Sequence, residues 1–120
     1  MKRLNKYEEI DTYQTKDGSW IRELMHPAQH GNHNQSLAEA IVPVNTETQL
    51  HRHLNSEELY HITEGVGLMV LGQHQFHVQT GDTVQIPPGT PHKIKNTGID
   101  SLKILCCCSP AYTHDDTELM

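Results

Sequence analysis

Apolar and polar residues alternate one by one along most of this chain, in short runs that Gly, Pro, Asn or Asp soon interrupt. Strict alternation over a few residues is the mark of a half-buried strand, because successive side chains leave opposite faces of the backbone. The three-and-four spacing of an amphipathic helix appears in few windows. The pattern predicts strands over Ser19–Met25, Leu37–Val42, Gln49–His53, Glu58–Thr63, Gly67–Leu71, Gln75–Gln79, Thr83–Ile86, His92–Asn96 and Leu102–Cys108. The segment LMVLGQHQFHV reads as a hairpin bent at Gly72-Gln73. Residues 26–35 are polar and punctuated by Gly and Pro, so they read as a loop; the acidic segment from Ser109 has no period and stays unassigned. Many short strands joined by short turns point to an all-β sandwich or barrel. The expected organisation is an N-terminal strand arm over 1–35, packing on the barrel or on a partner subunit, a barrel over 36–108 and a tail over 109–120.

Length and charge narrow the partners. At 120 residues the chain suits one domain, and no run approaches the roughly 20 apolar residues of a membrane helix. The opening MKRLNKYEEI has basic residues but no apolar stretch after them, so a cytoplasmic protein is expected. A formal charge of −6 has the wrong sign for a phosphate-backbone binder, and neither nucleic acid nor membrane is an expected partner. With 35% hydrophobic and 5% aromatic residues the core is thin, so a homodimer is expected. The cysteines, Cys106, Cys107 and Cys108, are adjacent and cannot form a disulfide framework. Strand parity turns Leu102, Ile104, Cys106 and Cys108 inward, where buried cysteine acts as a small hydrophobe.

Histidine changes the picture. Ten in 120 residues exceed what packing asks for, and their spacing suggests metal binding. His51 and His53, two apart on a strand, share a face with Cα atoms about 7 Å apart. The turn Leu54-Asn55-Ser56-Glu57 brings Glu58 back beside them as a third ligand, with Tyr60 on its face and His61 turned away. Further along, Pro87-Pro88-Gly89 makes a rigid corner that aims His92 as the fourth ligand. Gln49 shares the parity of His51 and His53, so Gln49 and Tyr60 are the candidates for contact with substrate or with the ligands. His26, His30, His33, His74 and His77 are expected to be solvated.

These residues resemble the cupins, in their small single-domain form. That family's first motif, G-x5-H-x-H-x4-E-x6-G, is met by His51, His53, Glu58 and Gly65; its second, G-x5-P-x-G-x2-H-x3-N, by Gly81, Pro87, Gly89, His92 and Asn96. The first motif's opening glycine is replaced by Asn45, the residue that best tolerates left-handed backbone after glycine. The resemblance implies a double-stranded β-helix, or jelly-roll barrel, with one divalent transition metal per chain: Fe, Mn, Ni or Zn.

Three neutral imidazoles and a carboxylate leave a divalent ion with a charge of about +1 and, if it is octahedral, two open positions. A small anionic metabolite binding through two atoms fits that centre. The expected activity is that of a small metalloenzyme, with dioxygenase-like oxidation favoured because neither Gln49 nor Tyr60 is a good base. The alternatives are a sugar or sugar-phosphate isomerase and a non-catalytic metal-dependent ligand-binding or sensor module.

Overall fold

The computed structural model describes residues 3–120, so the first two positions of the arm lie outside it. The described residues form strands β1 (Thr12–Gln14), β2 (Trp20–Met25), β3 (Ser36–Val42), β4 (His51–His53), β5 (Glu57–Glu64) and β6 (Val66–Leu71). They continue with β7 (His74–Gln79), β8 (Thr83–Ile86), β9 (His92–Asn96), β10 (Leu102–Ser109) and β11 (Thr117–Leu119). Two antiparallel sheets result, in the orders β1-β2-β3-β10-β5-β8 and β11-β4-β9-β6-β7. This is the all-β architecture the pattern predicts and the jelly roll the resemblance implies, and no helix among the described residues is long and apolar enough to cross a membrane.

β1 and β11 were not in the sequence pattern, being too short at three residues each to show a period. β2 pairs with β3 of the same chain, and β11 pairs with β4. Both terminal segments are therefore built into the sheets.

Alternation shapes the interior. Along β10, Leu102, Ile104, Cys106 and Cys108 are buried while Lys103, Leu105 and Cys107 are half-exposed. One end is filled by aliphatic side chains, with Val42, Ile62, Met69, Ile94, Leu102 and Ile104 almost wholly buried, each worth roughly 1.5–3 kcal/mol of transfer free energy. Asn96 closes that end: its side-chain amide donates to the carbonyls of Val42 at 2.9 Å and Asp100 at 2.8 Å. Towards the other end the same strands turn polar, at Cys108 on β10, Glu58 on β5 and His92 on β9. The turns that steer them use positive φ at Gly65 (92°), Gly81 (97°) and Gly89 (77°), where a side chain would be strained. Asn45 adopts φ 64°, so the glycine-like turn survives.

Candidate metal centre

β4 carries His51 and His53 on its inner face, with Arg52 outward and paired to Glu118 at 2.7 Å. β9 opens with His92, in register with His51. The corner before it is pinned to β4, because the Gly89 N–H donates to the His53 carbonyl at 2.7 Å. The three imidazoles are buried, their ring centroids 4.2–5.3 Å apart, and one nitrogen from each lies within 4.8 Å of the other two.

Each ring's proton is placed by its outer neighbour. His51 Nδ1–H donates to the Gln49 carbonyl at 2.8 Å and His92 Nδ1–H to the Thr90 carbonyl at 2.9 Å, and carbonyls only accept. Thr117 gives its hydroxyl hydrogen to the Thr113 carbonyl at 2.8 Å, so its oxygen accepts from His53 Nδ1–H at 3.0 Å. In the neutral rings all three Nε2 atoms then carry lone pairs. Glu58 Oε1 stands 3.1 Å from His53 Nε2 and 3.3 Å from His92 Nε2, while Cys108 donates its S–H to Oε2 at 3.4 Å. Glu58 Oε1 and His92 Nε2 are buried without a hydrogen-bond partner.

Buried acceptors that converge in this way could hold a cation. Burial alone would raise the Glu58 carboxyl, but the His53 and His92 rings beside it hold it down at about 2. His51 is pushed down by burial and then by His92, which keeps it neutral and ready to bind a metal. A divalent transition ion fits this donor set.

The surrounding cavity is walled partly by segments outside both motifs, including Tyr13, Asp17, Glu23 and Tyr112. Tyr60 is buried and sets its ring edge-on to His92, at 5.8 Å between centroids. Glu23, Ala38, Cys106 and Tyr60 stand in one cross-strand row. Glu23 is 7% exposed, accepts from Tyr13 OH at 3.1 Å on Oε2, and leaves Oε1 without a partner. Burial raises its carboxyl above the ordinary range. Burial, then the Glu58 charge, pushes the Cys106 and Cys108 thiols well up, so neither is a thiolate at neutral pH.

Several expectations change. Gln49 does not point into the barrel: its side chain is exposed, because the chain reaches β4 by a non-strand segment that breaks parity, with Thr48 buried in its place. Only its backbone serves the site. His26 and His30 are not free in solvent: His26 Nε2 is 2.7 Å from the Tyr112 carbonyl, and His30 Nδ1 accepts from the His26 N–H at 3.0 Å. His33, His74 and His77 are exposed, and His61 faces Thr83 at 2.8 Å. Cys108 does more than pack, since its thiol orients Glu58.

Asp17, Glu23, Tyr112 and Thr117 were missed. The Asp17-Gly18 pair was an available hairpin signal; nothing in the sequence marked the other three.

A family model described as the cupin domain, Cupin_2, matches residues 38–108. The chain is a cupin. Among similar proteins, the Methanocaldococcus jannaschii protein named Uncharacterized protein MJ1618 is 57% identical over 115 residues, 96% of this chain and 92% of that one. Two solved structures share this cupin's fold. Streptomyces Pac13 with uridine superposes at TM-score 0.80 with 16% identity, covering 100% of this chain and 92% of that one. A predicted oxalate decarboxylase from Thermotoga maritima superposes at 0.78 with 21% identity, covering 89% of this chain and 98% of that one.

Proposed function

We propose that this cupin is a metal-dependent enzyme that holds one divalent transition ion through His51, His53, Glu58 and His92 and acts on a small metabolite bound through oxygen. The observation that carries this is the convergence of three Nε2 lone pairs, fixed by their Nδ1 partners, with the unpartnered Glu58 Oε1. When bound, the ion supplies Lewis acidity to the metabolite's oxygen. Thr117, Gln49 and Thr90 hold the ligand rings in orientation; Cys108 does the same for Glu58.

Proton transfer is favoured over dioxygen chemistry. Oxidation was the expectation while no base was in view, and Glu23 supplies one on the cavity wall. Its burial raises the carboxyl above its ordinary value, the direction that favours giving and taking protons. The small side chains Ala38 and Ala40 line the same cavity as Glu23, His51 and His53. Isomerisation, dehydration and decarboxylation all belong to this class. Two of the solved cupins carry names from it: Pac13 is called a nucleoside dehydratase and another neighbour a "Putative sugar phosphate isomerase".

The metal reading is tested by elemental analysis of protein purified without a histidine tag. One ion per chain is expected, lost in His53→Ala/His92→Ala while the circular dichroism stays that of a folded barrel. Full occupancy in that double variant refutes the site. For the reaction, hydroxy acids, sugar phosphates and nucleosides are incubated in deuterated water. A substrate that takes up solvent deuterium with wild type and not with Glu23→Gln supports the proton-transfer role; equal uptake with both removes it.

A further inference from the structure

Glu58 is not the only carboxylate at the histidines. Asp17, at the tip of the β1–β2 hairpin and outside both motifs, places Oδ2 3.5 Å from His51 Nε2. The corresponding distances from Glu58 Oε1 to His53 and His92 are 3.1 and 3.3 Å. Neighbouring donors on one ion with bonds of about 2.1 Å stand about 3.0 Å apart, so both carboxylates are near ligand spacing.

His51 has committed its N–H to the Gln49 carbonyl, leaving Nε2 as an acceptor. At 3.5 Å the contact is longer than an ordinary hydrogen bond. Two acceptors therefore face each other across a gap that suits a larger cation.

Asp17 is also held for this role. Ser19 donates to Oδ1 from its N–H at 2.9 Å and its hydroxyl at 2.6 Å, which leaves Oδ2 turned to the cluster. Gln49 N–H donates to the Asp17 carbonyl at 2.8 Å, and the carbonyl of the same Gln49 fixes the His51 ring. One residue thus positions both groups. Asp17 is 8% exposed, and an aspartate is seldom so buried without a partner for its charge.

We propose that Asp17 is a fifth protein donor to the ion, on the His51 side of the cluster, whereas Glu58 lies on the His53 and His92 side. The inference rests on the metal-binding reading above and narrows it. Two carboxylates neutralise a divalent ion, and an octahedral centre keeps about one open position instead of two. The metabolite then enters through a single hydroxyl or carbonyl oxygen, and a ligand binding through two atoms must displace Asp17.

The test uses the full chain with Co(II) or Mn(II) as probe and needs no substrate. Affinity is measured by competition with a chelator, and inner-sphere water is read from solvent-proton relaxation of the Mn(II) form. Loss of an outer-sphere partner costs about 10–100-fold in affinity, so Asp17→Asn should weaken binding by at least about 100-fold. Relaxation per bound Mn(II) should rise as a water takes the vacated position. Unchanged affinity and relaxation in a folded Asp17→Asn protein overturn the proposal. If Asp17→Asn does not fold, Ser19→Ala decides by the same readings: weaker binding supports the proposal, and wild-type binding overturns it. His53→Ala separates the two readings. If it binds Co(II) as wild type does, the metal site itself fails; if it loses the ion while Asp17→Asn keeps it, only the Asp17 assignment fails.

Discussion

Replacing Thr117 by valine removes one hydroxyl and almost no volume, yet it strikes the tautomer of a buried imidazole. The Thr117 oxygen accepts from His53 Nδ1–H at 3.0 Å, and its hydrogen goes to the Thr113 carbonyl at 2.8 Å. His53 is 4% exposed, so water does not replace the lost acceptor. Two outcomes follow for the neutral ring. Either Nδ1–H stays and is buried unsatisfied, at about 1–3 kcal/mol, or the proton moves to Nε2 and occupies the lone pair meant for the ion. Both penalise metal binding, by about 10–100-fold in affinity, or about 1.4–2.7 kcal/mol. The backbone pairing of Thr117 with His53 is unaffected, so the barrel should fold normally. Chelator competition with Co(II) gives the affinity, and long-range nitrogen–proton NMR couplings report which ring nitrogen is protonated. Thr117→Ser restores the hydroxyl and should restore binding. Wild-type affinity in Thr117→Val, or a serine variant as weak as the valine one, refutes the tautomer argument.

The remaining predictions are smaller. Glu58 is held at about 2 against its ordinary 4.5, so its contribution to stability is full above 4.5 and is lost as pH falls through about 2. His51, lowered from 6.5, contributes in the same sense at higher pH, and the melting temperature of metal-free protein should fall with acid from about 6.5 downward; a flat profile to pH 4 contradicts this. Cys108→Ala removes a long hydrogen bond to Glu58 and should weaken Co(II) binding a few-fold, while Cys107→Ser leaves it unchanged; a thiol reagent at pH 8 should leave Cys106 and Cys108 unmodified in the folded protein, and rapid modification of either would contradict the burial. Leu37, Cys107 and Leu59 share a cross-strand row on the outer face of the six-stranded sheet, with both leucines exposed, so we propose this face for the homodimer. Sedimentation should give a dimer that Leu59→Lys dissociates; a monomeric wild type removes the dimer.

What the sequence made legible was what local periodicity and fixed spacing control. The central strands follow from alternation, His51, His53 and Glu58 lie on β4 and β5, and His92 follows the corner with positive φ at Gly89. Gln49 shows the limit of parity. Alternation predicts an inward side chain only while the strand is continuous, and here the chain enters β4 through residues with no ladder partner. The groups outside the motifs were hidden for another reason. Glu23 lies in the cavity because β2 lies beside β3, and Thr117 meets His53 because the tail pairs with β4. Such pairings join residues far apart in the chain, and no local pattern encodes them.

The two ends of the chain also hold each other. Lys16 Nζ donates to the carbonyls of His114 at 2.9 Å and Thr117 at 3.0 Å, Thr15 Oγ1 lies 3.1 Å from Tyr112 OH, and His26 Nε2 lies 2.7 Å from the Tyr112 carbonyl. Each end then presents a polar group to the histidines, Asp17 from the hairpin and Thr117 from the tail. Docking of the ends and binding of an ion are therefore linked: whatever free energy the docked ends add to ion affinity, the ion must return to the docking. A barrel reduced to its motif region would keep His51, His53, Glu58 and His92 in sequence but lose the acceptor that fixes His53 and the carboxylate beside His51. That is why segments with no motif of their own belong to the functional unit, and why we place the arm and tail within the proposed metal centre.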